Sequence, residues 1–484
     1  MLDARSEPGL APRPRPRPRP GTGPAVAGPE VAGRRSDLVR PLARPAPSSL
    51  LDTDIVLGAL GFLAIVVGIW VRHGGLTQMT DWTGAATGLA QITGLLASAA
   101  GLLGVALAAR PRRVDRRFGL DRMLVWHRIL GETMAVLVGF HVAFGVAAWS
   151  TGKGGVFGAI RDLTGRSPYM AGAAVGAALV GVVTVSSLRS LRRQLSYETW
   201  YLLHLTAYLG LALSFSHEIV VGGDLSGDTV ARWFWVAAHV AVLTMLAAGR
   251  WGRLVRAFLR PLRVTGVQRH GDGTVAMTLG GPGLAGVRAD AGQFMMLRPV
   301  RSRLWWQAHP FSLSAAPSTA GLRFTIKDRG DASAAISDLS IGTRVAIEGP
   351  YGATTPDVIA GRKVLFVAGG VGIAPVRGML ERLDPSAAPV VLYRAHREAD
   401  LVHLDELRAL AARCGGTVHT LVGPTLSLAV KDPFSAPVLA KIVPDVAERV
   451  AVLCGPERLL DAARKGLRAA GVAARDIHYE RVWW

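Results

Sequence analysis

Residues 123–149, MLVWHRILGETMAVLVGFHVAFGVAAW, form an apolar segment of helix length that contains two histidines, His127 and His141. A second such segment, ETWYLLHLTAYLGLALSFSHEIVV at residues 198–221, contains His204 and His217. At a rise of about 1.5 Å per residue, the two histidines of each pair lie about 20 Å apart along their helix, which is most of a hydrocarbon core of about 30 Å. Histidine is costly in lipid and is usually functional there, so these four side chains are the first candidates for a site.

The two histidine pairs predict two stacked haems between two helices, with one imidazole from each helix on each iron. A spacing of fourteen residues leaves His127 and His141 about 40° apart around a straight helix, whereas thirteen residues leave His204 and His217 about 140° apart. We therefore expect a kink, a π-bulge or a strong tilt in the second helix. The alternative is that the four histidines line a pore or pack between helices. A fifth histidine, His239, has no such partner and is interpreted as structural.

Six stretches of the first half are long and apolar enough to span a membrane. They are residues 54–71, 83–109, 123–149, 169–188, 198–221 and 230–249. If the N-terminus is inside, the inner loops contain fourteen arginines and the outer loops five basic residues, which is a positive-inside signal. We therefore expect a multi-pass protein of the plasma membrane with a cytoplasmic C-terminal half. His127 and His204 would then lie near the inner face, and His141 and His217 near the outer face.

The composition narrows the class of protein. The 484-residue chain is 50% hydrophobic and has a net charge of +20. Residues 1–50 contain a run of alternating proline and arginine, Pro12–Pro20, which predicts a disordered cytoplasmic tail. The membrane accounts for the arginines and the sequence has no nucleic-acid-binding motif, so we expect no nucleic-acid partner. Its two cysteines, Cys414 and Cys454, are too few for a four-cysteine iron–sulfur module.

The sequence pattern of the second half predicts two further domains. After Pro261, short β-type runs broken by glycine and proline predict a small antiparallel β-barrel over residues 261–358. From Lys363 onward, strands alternate with helices, which predicts a parallel α/β domain over residues 359–484. Its first strand ends in the turn Gly369–Gly372. Glycines let a backbone approach a pyrophosphate, and the N-terminus of the following helix favours its charge.

The segment HPFSLS at residues 309–314 resembles the flavin-binding signature of ferredoxin–NADP reductase-type domains in ferric reductases and NADPH oxidases. GPYG at 349–352, GGVGIAP at 369–375 and CGP at 454–456 follow in that family's order, and the paired histidines match its ferric reductase-like transmembrane domain. The resemblance covers residues 51–484. It implies an all-α six-helix transmembrane haem bundle at 51–260, an antiparallel β-barrel FAD domain at 261–358 and a Rossmann-like NAD(P) domain at 359–484.

The resemblance also implies site residues. FAD would lie along His309, Pro310, Phe311, Ser312 and Ser314, with Ser312 near the flavin N5 and the pyrophosphate against Gly330 and Ser333. NAD(P)H would bind at Gly369, Gly370, Gly372, Cys454, Gly455 and Pro456, with Cys454 beside the nicotinamide and Glu480 as its acidic neighbour. A terminal aromatic residue, Trp484 or else Trp483, would stack on the flavin. Arg394 and Arg397 are candidates for a 2′-phosphate contact, which favours NADPH over NADH.

The implied function is a transmembrane oxidoreductase that passes electrons from cytoplasmic NAD(P)H through FAD and two b-type haems to an outside one-electron acceptor. Ferric iron is the favoured acceptor, and superoxide-producing reduction of O2 is the alternative. Arg128, beside His127, is a candidate partner for a haem propionate or else a snorkelling arginine. A rival of another class is a multi-pass transporter or sensor with a redox-regulatory domain, which would bind no haem. The oligomeric state stays open.

Overall fold

The computed structural model describes residues 40–43, 52–150, 155–270, 273–300, 302, 305–424 and 432–480. Its N-terminal part is helical, and an antiparallel sheet and then a parallel sheet follow. Most of the predicted disordered tail, and both terminal tryptophans, lie outside the described residues.

The helical part begins at Asp52. Its elements are α1 (Asp52–Arg72), α2 (Trp82–Ala108), α3 (Arg112–Ser150), α4 (Gly155–Arg166), α5 (Pro168–Ser187), α6 (Arg189–Arg192), α7 (Tyr197–Val220), α8 (Gly223–Ser226), α9 (Thr229–Leu246) and α10 (Gly252–Leu259). A π-helical turn, Ala247–Trp251, joins α9 to α10. Helix α3 changes direction at Gly119, whose φ of 80° lies outside the helical region.

Five of these helices are long and apolar enough to cross a membrane, judged over the described residues. They are Thr53–Arg72, Trp82–Ala108, Arg112–Ser150, Pro168–Ser187 and Thr229–Leu259, and they coincide with five of the six predicted spans. The remaining predicted span is α7, a helix of 24 residues that contains both of its histidines and also Glu198 and Glu218. The protein is therefore a membrane protein with a predominantly apolar helical half.

Local sequence explains where several helices begin and how two of them pack. The side chains of Asp81, Ser167 and Asp228 accept hydrogen bonds from backbone N–H groups in the first turns of α2, α5 and α9. Helices α5 and α7 cross closely because both carry glycine at the crossing. A Cβ at Gly176 would lie 2.8 Å from the carbonyl oxygen of Gly210.

The antiparallel domain follows α10. Its elements are β1 (Leu262–Arg269), β2 (Thr274–Gly280), β3 (Phe294–Pro299), β4 (His309–Ser312), β5 (Leu322–Lys327), α11 (Asp331–Ser337) and β6 (Arg344–Tyr351). The strand order is β4-β3-β6-β1-β2-β5. A bridge between Leu313 and Phe324 connects the two ends of this order and gives the sheet a barrel-like form. The predicted antiparallel domain is confirmed.

The parallel domain completes the described chain. Its elements are β7 (Val364–Gly369), α12 (Ile373–Leu380), β8 (Val390–Ala395), α13 (Leu404–Ala412), β9 (Thr417–Val422), α14 (Ala436–Ile442), β10 (Val450–Cys454), α15 (Glu457–Ala469) and β11 (Ile477–Tyr479). The order is β11-β10-β7-β8-β9, and all neighbours are parallel. Buried clusters cover both faces of this sheet, as a parallel sheet requires. The predicted α/β domain is confirmed.

A short segment ahead of α1 lies against the antiparallel sheet. Pro41 forms a β-bridge with Ser318, and the backbone N–H of Leu42 donates to the carbonyl oxygen of Pro317 at 3.1 Å. The Leu42 side chain packs on the core of the sheet. Residues 40–43 of the predicted tail thus contact the sheet, because Leu42 has an apolar surface on which to bury itself.

Candidate functional site

The four predicted metal ligands form two pairs in the structure. The ring centroids of His127 on α3 and His204 on α7 lie 5.9 Å apart, and those of His141 and His217 lie 6.2 Å apart. Two imidazoles that bind one metal ion from opposite sides, each at about 2 Å, have centroids about 6 Å apart. Each pair therefore has the spacing that axial ligation of one haem iron requires.

Helix α2 orients the two histidines of α3. Nδ1 of His127 lies 3.0 Å from the carbonyl oxygen of Gly104, and Nδ1 of His141 lies 2.7 Å from that of Ala90. When these nitrogens donate, the lone pair of Nε2 is left for a metal. Position 94 is glycine because a Cβ there would lie 2.7 Å from Nδ1 of His141.

The histidines of α7 are held differently. Trp200 stacks on His204 with ring centroids 5.1 Å apart, and Nδ1 of both His204 and His217 is buried with no hydrogen-bond partner among the described residues. Helix α7 is continuous, so it has neither the kink nor the π-bulge that its histidine spacing predicted. The rings instead meet their partners at inclinations of 68° and 59°.

The surroundings of the pairs fit a flat macrocycle. No group of three or more His, Cys, Asp or Glu side chains that could hold a metal ion occurs in the described part of the chain, but axial ligation of haem needs only two. One turn after each histidine of α3 stands a glycine, Gly131 and Gly145. A Cβ at either position would contact nothing within 4 Å. The residues present therefore fit two haems.

The predicted flavin segment is the edge strand β4. It pairs with β3, with Leu297 opposite His309 and Phe294 opposite Ser312, and all four of its residues are half-buried. Burial and the nearby Arg298 lower the pKa of His309, so its imidazole is neutral at physiological pH. Oγ of Ser314 is fully buried and has no hydrogen-bond partner among the described residues.

The predicted FAD pyrophosphate contact lies in a turn ahead of α11. Gly330 has a φ of 149°, and a Cβ there would contact nothing within 4 Å. Oγ of Ser333 accepts a hydrogen bond from the backbone N–H of Arg329 at 2.8 Å and donates to the carbonyl oxygen of Gly330 at 2.9 Å. The turn is therefore defined by its own hydrogen bonds and open on one side.

The glycine turn and the Cys454–Pro456 segment lie together at the carboxyl ends of β7 and β10. A Cβ at Gly372 would lie 2.5 Å from the carbonyl oxygen of Cys454, and one at Gly369 would lie 2.6 Å from the Leu459 side chain. Gly370 has a φ of 53°. Positions 369 and 372 thus require glycine, because neighbouring atoms approach the backbone too closely for a Cβ. The carboxyl end of a parallel sheet is where such domains bind nucleotides.

The candidate 2′-phosphate residues already have protein partners. The guanidinium of Arg394 donates to the carbonyl oxygen of Leu421 at 3.0 Å and also to those of Ala395 and Gly423. Arg397 pairs with Asp400 at 3.3 Å. Either arginine would have to give up some of these hydrogen bonds or ion pairs in order to bind a phosphate.

Cys454 and Glu480 lie close to each other at the nucleotide end of the sheet. Burial raises the pKa of Cys454 to about 12, and the charge of Glu480 adds to the effect. Burial also raises the pKa of Glu480 to about 7, although its carboxylate accepts hydrogen bonds from the N–H groups of Ala353 at 2.7 Å and Thr354 at 2.9 Å. The thiol is therefore neutral near pH 7, and Glu480 exchanges a proton in that range. Trp484 lies outside the described residues.

Two buried carboxylates at the boundary between helices and sheet were not predicted. Glu348 on β6 is 2% exposed and pairs with Arg250 at 2.9 Å and with Arg110 and Arg298 at 3.6 Å each. Burial would raise the pKa of Glu348, but the arginines outweigh it and the pKa is lowered. Asp115, in the first turns of α3, is also 2% exposed and accepts a hydrogen bond from the N–H of Gly352. In the sequence, only the position of these arginines at span ends hinted at such a cluster.

Three family models match the chain. A ferric reductase like transmembrane component matches residues 93–215, an FAD-binding domain matches residues 262–355, and an oxidoreductase NAD-binding domain matches residues 366–465. The first range contains His127, His141 and His204 and ends two residues before His217.

Several curated proteins are similar to part of the chain. It is 28% identical over 235 residues to the reductase component of propane 2-monooxygenase from Rhodococcus jostii, which covers 45% of this chain and 62% of that protein. It is 25% identical over 257 residues to NADPH oxidase 3 from Homo sapiens, which covers 44% of this chain and 43% of that protein. The chain thus spans less than two thirds of the length of these relatives. A solved cytochrome P450 reductase from Amycolatopsis aligns with a TM-score of 0.38 at 22% identity, over 46% of this chain and 68% of that one.

Proposed function

Because this chain belongs to the ferric reductase and NADPH oxidase superfamily, we propose that it carries electrons from cytoplasmic NAD(P)H through FAD and two b-type haems to a one-electron acceptor outside. The observation that carries the proposal is the pairing of imidazoles at two levels of one helix pair, with centroid distances of 5.9 Å and 6.2 Å. The function of a transporter or a sensor does not require two such histidine pairs in a chain that also contains flavin-type and nucleotide-type domains.

The proposed topology has six crossings. Residues 40–43, ahead of α1, pair with the sheet that follows α10, which supports an even number of crossings with both segments on one side of the membrane. Five helices have the length and apolarity of a span, and α7 is the sixth. The excess of arginine in the loops on that side supports a cytoplasmic location for it, and we propose the plasma membrane as the membrane.

In the cytoplasmic half, this chain's residues orient two nucleotides. The strand His309–Ser312 would hold the isoalloxazine and the turn at Gly330 and Ser333 the pyrophosphate of FAD, which when bound supplies the change from hydride to single electrons. The turn Gly369–Gly372 would hold the pyrophosphate of NAD(P)H at the N-terminus of α12. The neutral thiol of Cys454 would then pack beside the nicotinamide without acting as a nucleophile. Glu480 would hold or release a proton at its carboxylate near pH 7.

In the membrane half, Nε2 of His127 and His204 would hold the inner haem, and Nε2 of His141 and His217 the outer one. The carbonyl oxygens of Gly104 and Ala90 fix the two rings of α3, and such partners of a ligating histidine maintain ring orientation and basicity.

Ferric iron is the acceptor that we favour, because the family model that matches the membrane half is that of ferric reductases. O2 is the second candidate, because NADPH oxidase 3 is among the relatives. NADPH is favoured over NADH only by the position of Arg394 at the end of β8.

Anaerobic reduction of the purified chain tests the proposal. NAD(P)H should bleach the flavin absorbance and then produce the spectrum of reduced haem, and either Fe(III)-citrate or O2 should be added afterwards. The acceptor that reoxidises the haems within one catalytic turnover is the substrate, and His141→Ala should abolish that step while it leaves reduction of the inner haem intact. A chain without a Soret band would exclude the proposed function and favour the transporter or sensor.

A further inference from the structure

Arginines outnumber carboxylates where the helices meet the antiparallel sheet. We define the junction cluster as the side chains of Arg110, Arg250, Arg253, Arg298, Asp115 and Glu348. Glu348 pairs directly with three of the arginines and interacts electrostatically with Arg253, and Asp115 interacts with Arg110 and Arg253. The cluster has four positive and two negative charges, and its neighbours Glu480 and Arg112, which interact with Asp115 and Arg253, add one charge of each sign. Two positive charges therefore remain in excess among these side chains.

The surplus charge is buried. Arg298 is 4% exposed and Arg253 is 7% exposed. Arg253 donates to the carbonyl oxygens of Ala109 and Arg110, but buried charge in excess of its counterions is still unfavourable, so the cluster favours a bound anion. Nη1 of Arg110 and Nε of Arg298 are buried with no hydrogen-bond partner among the described residues. Oε2 of Glu348 also has no hydrogen-bond partner among the described residues. The arginines and Glu348 thus do not satisfy one another, and a bound oxyanion would give the two donors an acceptor.

The junction cluster lies on the cytoplasmic side of the inner histidine pair. Gly104, whose carbonyl oxygen orients His127, lies near the C-terminal end of α2, and Arg110 follows two residues after the end of that helix at Ala108. On the other side, Arg250 interacts with the side chain of Tyr201, one turn before His204. The cluster is therefore connected to both inner histidines through the elements that carry them.

We propose that the junction cluster binds the two carboxylates of the inner haem, with Arg110, Arg250 and Arg298 as their hydrogen-bond donors. The inference rests on the proposed function, since it presupposes a haem between His127 and His204. A b-type haem carries two propionate carboxylates, and their charge neutralises the surplus of the cluster. Guanidinium groups form charge-assisted, often bidentate hydrogen bonds with carboxylates.

Arg298 gives this site a direct connection to the flavin segment. It lies on β3, whose neighbouring residue Leu297 pairs with His309 on β4. The antiparallel domain thereby contributes a side chain to the haem site, and Glu348 is the positioning residue that holds Arg298 together with two arginines of the membrane domain. The haem site is complete only when the two domains are assembled.

Arg128 is the rival for this role, because it follows His127 in sequence. Its side chain is 55% exposed and pairs with Glu132 at 3.6 Å. Its neighbour in sequence, His127, lies about 100° away around the helix, so Arg128 is on a different face of α3 from the ring that would bind the iron.

A spectroelectrochemical redox titration of the full chain tests the inference. Positive charge beside a haem favours its reduced form, so Arg250→Gln and Arg298→Gln should each lower the ratio of reduced to oxidised inner haem at a fixed potential. We expect about a tenfold effect, which is a downward shift of about 59 mV for one electron. The outer haem should keep its potential, and His141→Ala, which lacks it, identifies the inner component.

The controls separate charge from folding. Arg250→Lys keeps the charge and should titrate close to the wild type, as should Arg256→Gln, which removes an exposed arginine from α10. Because Arg250 and Arg298 belong to different domains, a folding defect in one variant leaves the other as an independent test. Unchanged inner-haem potentials in both, or a shift in Arg128→Gln instead, would overturn the inference. A wild type without haem would overturn the proposed function itself.

Discussion

The four histidine side chains of α3 and α7 are the proposed haem ligands. We expect His127→Ala or His204→Ala to lose the inner haem and His141→Ala or His217→Ala to lose the outer one, because each iron would keep only one axial imidazole. Each variant should therefore contain about half of the wild-type haem per chain, measured by pyridine haemochrome absorbance against protein concentration. Full haem content in all four variants would contradict the assignment of ligands.

A glycine offers a sharper test of ring position. A Cβ at Gly94 would lie 2.7 Å from Nδ1 of His141, whereas one at Gly61 would contact nothing within 4 Å. Gly94→Ala should displace the His141 ring and weaken the outer haem, with the inner haem unaffected, while Gly61→Ala should behave as the wild type. Haem content and the low-spin electron paramagnetic resonance signals of the two haems measure the difference. Equal spectra for the two variants would show that α2 yields without moving the ring.

The carboxylate of Glu480 predicts a pH dependence of stability. Its folded pKa of about 7 lies above its ordinary value of 4.5, so the folded chain binds more protons than the unfolded chain between these values. The associated stabilisation is complete below the ordinary value and is lost as the pH rises through about 7. Glu480→Gln removes this titration, so its melting temperature relative to the wild type should rise between about pH 5 and about pH 8, by an amount that corresponds to roughly 1–3 kcal/mol. Tryptophan fluorescence in detergent measures it, with the exposed Glu448→Gln as control. Parallel pH profiles for wild type and Glu480→Gln would refute the shift.

Local sequence was sufficient to locate the histidine pairs and the glycine turn, but it was not sufficient to identify the residues that surround them. The spacing of His127 and His141 is a property of one helix, and the turn Gly369–Gly372 is a property of four adjacent residues. The pairing of Glu348 with Arg110 and Arg250 depends instead on how two domains meet. Such long-range electrostatic contacts have no periodic signature, so only the folded chain reveals them.

At the scale of secondary-structure elements, we expect the end of β8 to decide the preference between NADPH and NADH. If Arg394 contacts a 2′-phosphate, Arg394→Ala should lower kcat/KM for NADPH by about tenfold or more and leave NADH nearly unchanged, because a charge-assisted hydrogen bond is worth about 1.5–3 kcal/mol. Steady-state kinetics with both nucleotides measures it, with Arg397→Ala as the matched comparison. Equal losses for both nucleotides would mean that Arg394 acts through the carbonyl oxygens of Leu421 and Gly423, which it already binds.

The positions of the helices and strands were largely predictable from the sequence, whereas the kinks within the helices were not. Apolar length identified five spans and the helix of the sixth segment, since burial in lipid requires a continuous hydrogen-bonded helix. The kink expected in α7 is absent, whereas α3 changes direction at Gly119. In α7 the inclination of the histidine rings compensates for their angular separation, and in α3 the first turns pack on the antiparallel sheet through Leu120. Neither effect can be calculated from a single straight helix. The glycine turn after β7 was predictable directly from its glycines.

At the scale of the whole molecule, the domains are more closely joined than the sequence boundaries at 260 and 358 indicate. Residues 40–43 lie against the antiparallel sheet, Leu120 of α3 packs with Met296 and Tyr351, and Asp115 binds the backbone beside the nucleotide end. Composition located the domains because each has its own hydrophobic pattern. It did not locate these contacts, which involve few residues and combine segments far apart in the chain.

These contacts between the domains allow a prediction of how well the cytoplasmic half folds and binds FAD when it is expressed alone. Residues 261–484 should fold and bind FAD, because both sheets have complete cores of their own. Their FAD affinity should nevertheless be lower than that of the full chain. The isolated half lacks the packing of Leu42 and Leu120, each worth up to about 1.5–3 kcal/mol, and it lacks two of the arginines that pair with Glu348.

A loss of about 1.4 kcal/mol weakens binding tenfold, so we expect at least that difference in the dissociation constant, measured by the quenching of FAD fluorescence. Leu42→Ala in the full chain is the informative intermediate, since it removes one contact and leaves the junction arginines in place, and it should lie between the two. An isolated half that binds FAD as tightly as the full chain would show that these contacts align the domains without stabilising the flavin site. Failure of the full chain itself to bind FAD would reject the assignment of His309–Ser312 as the flavin segment.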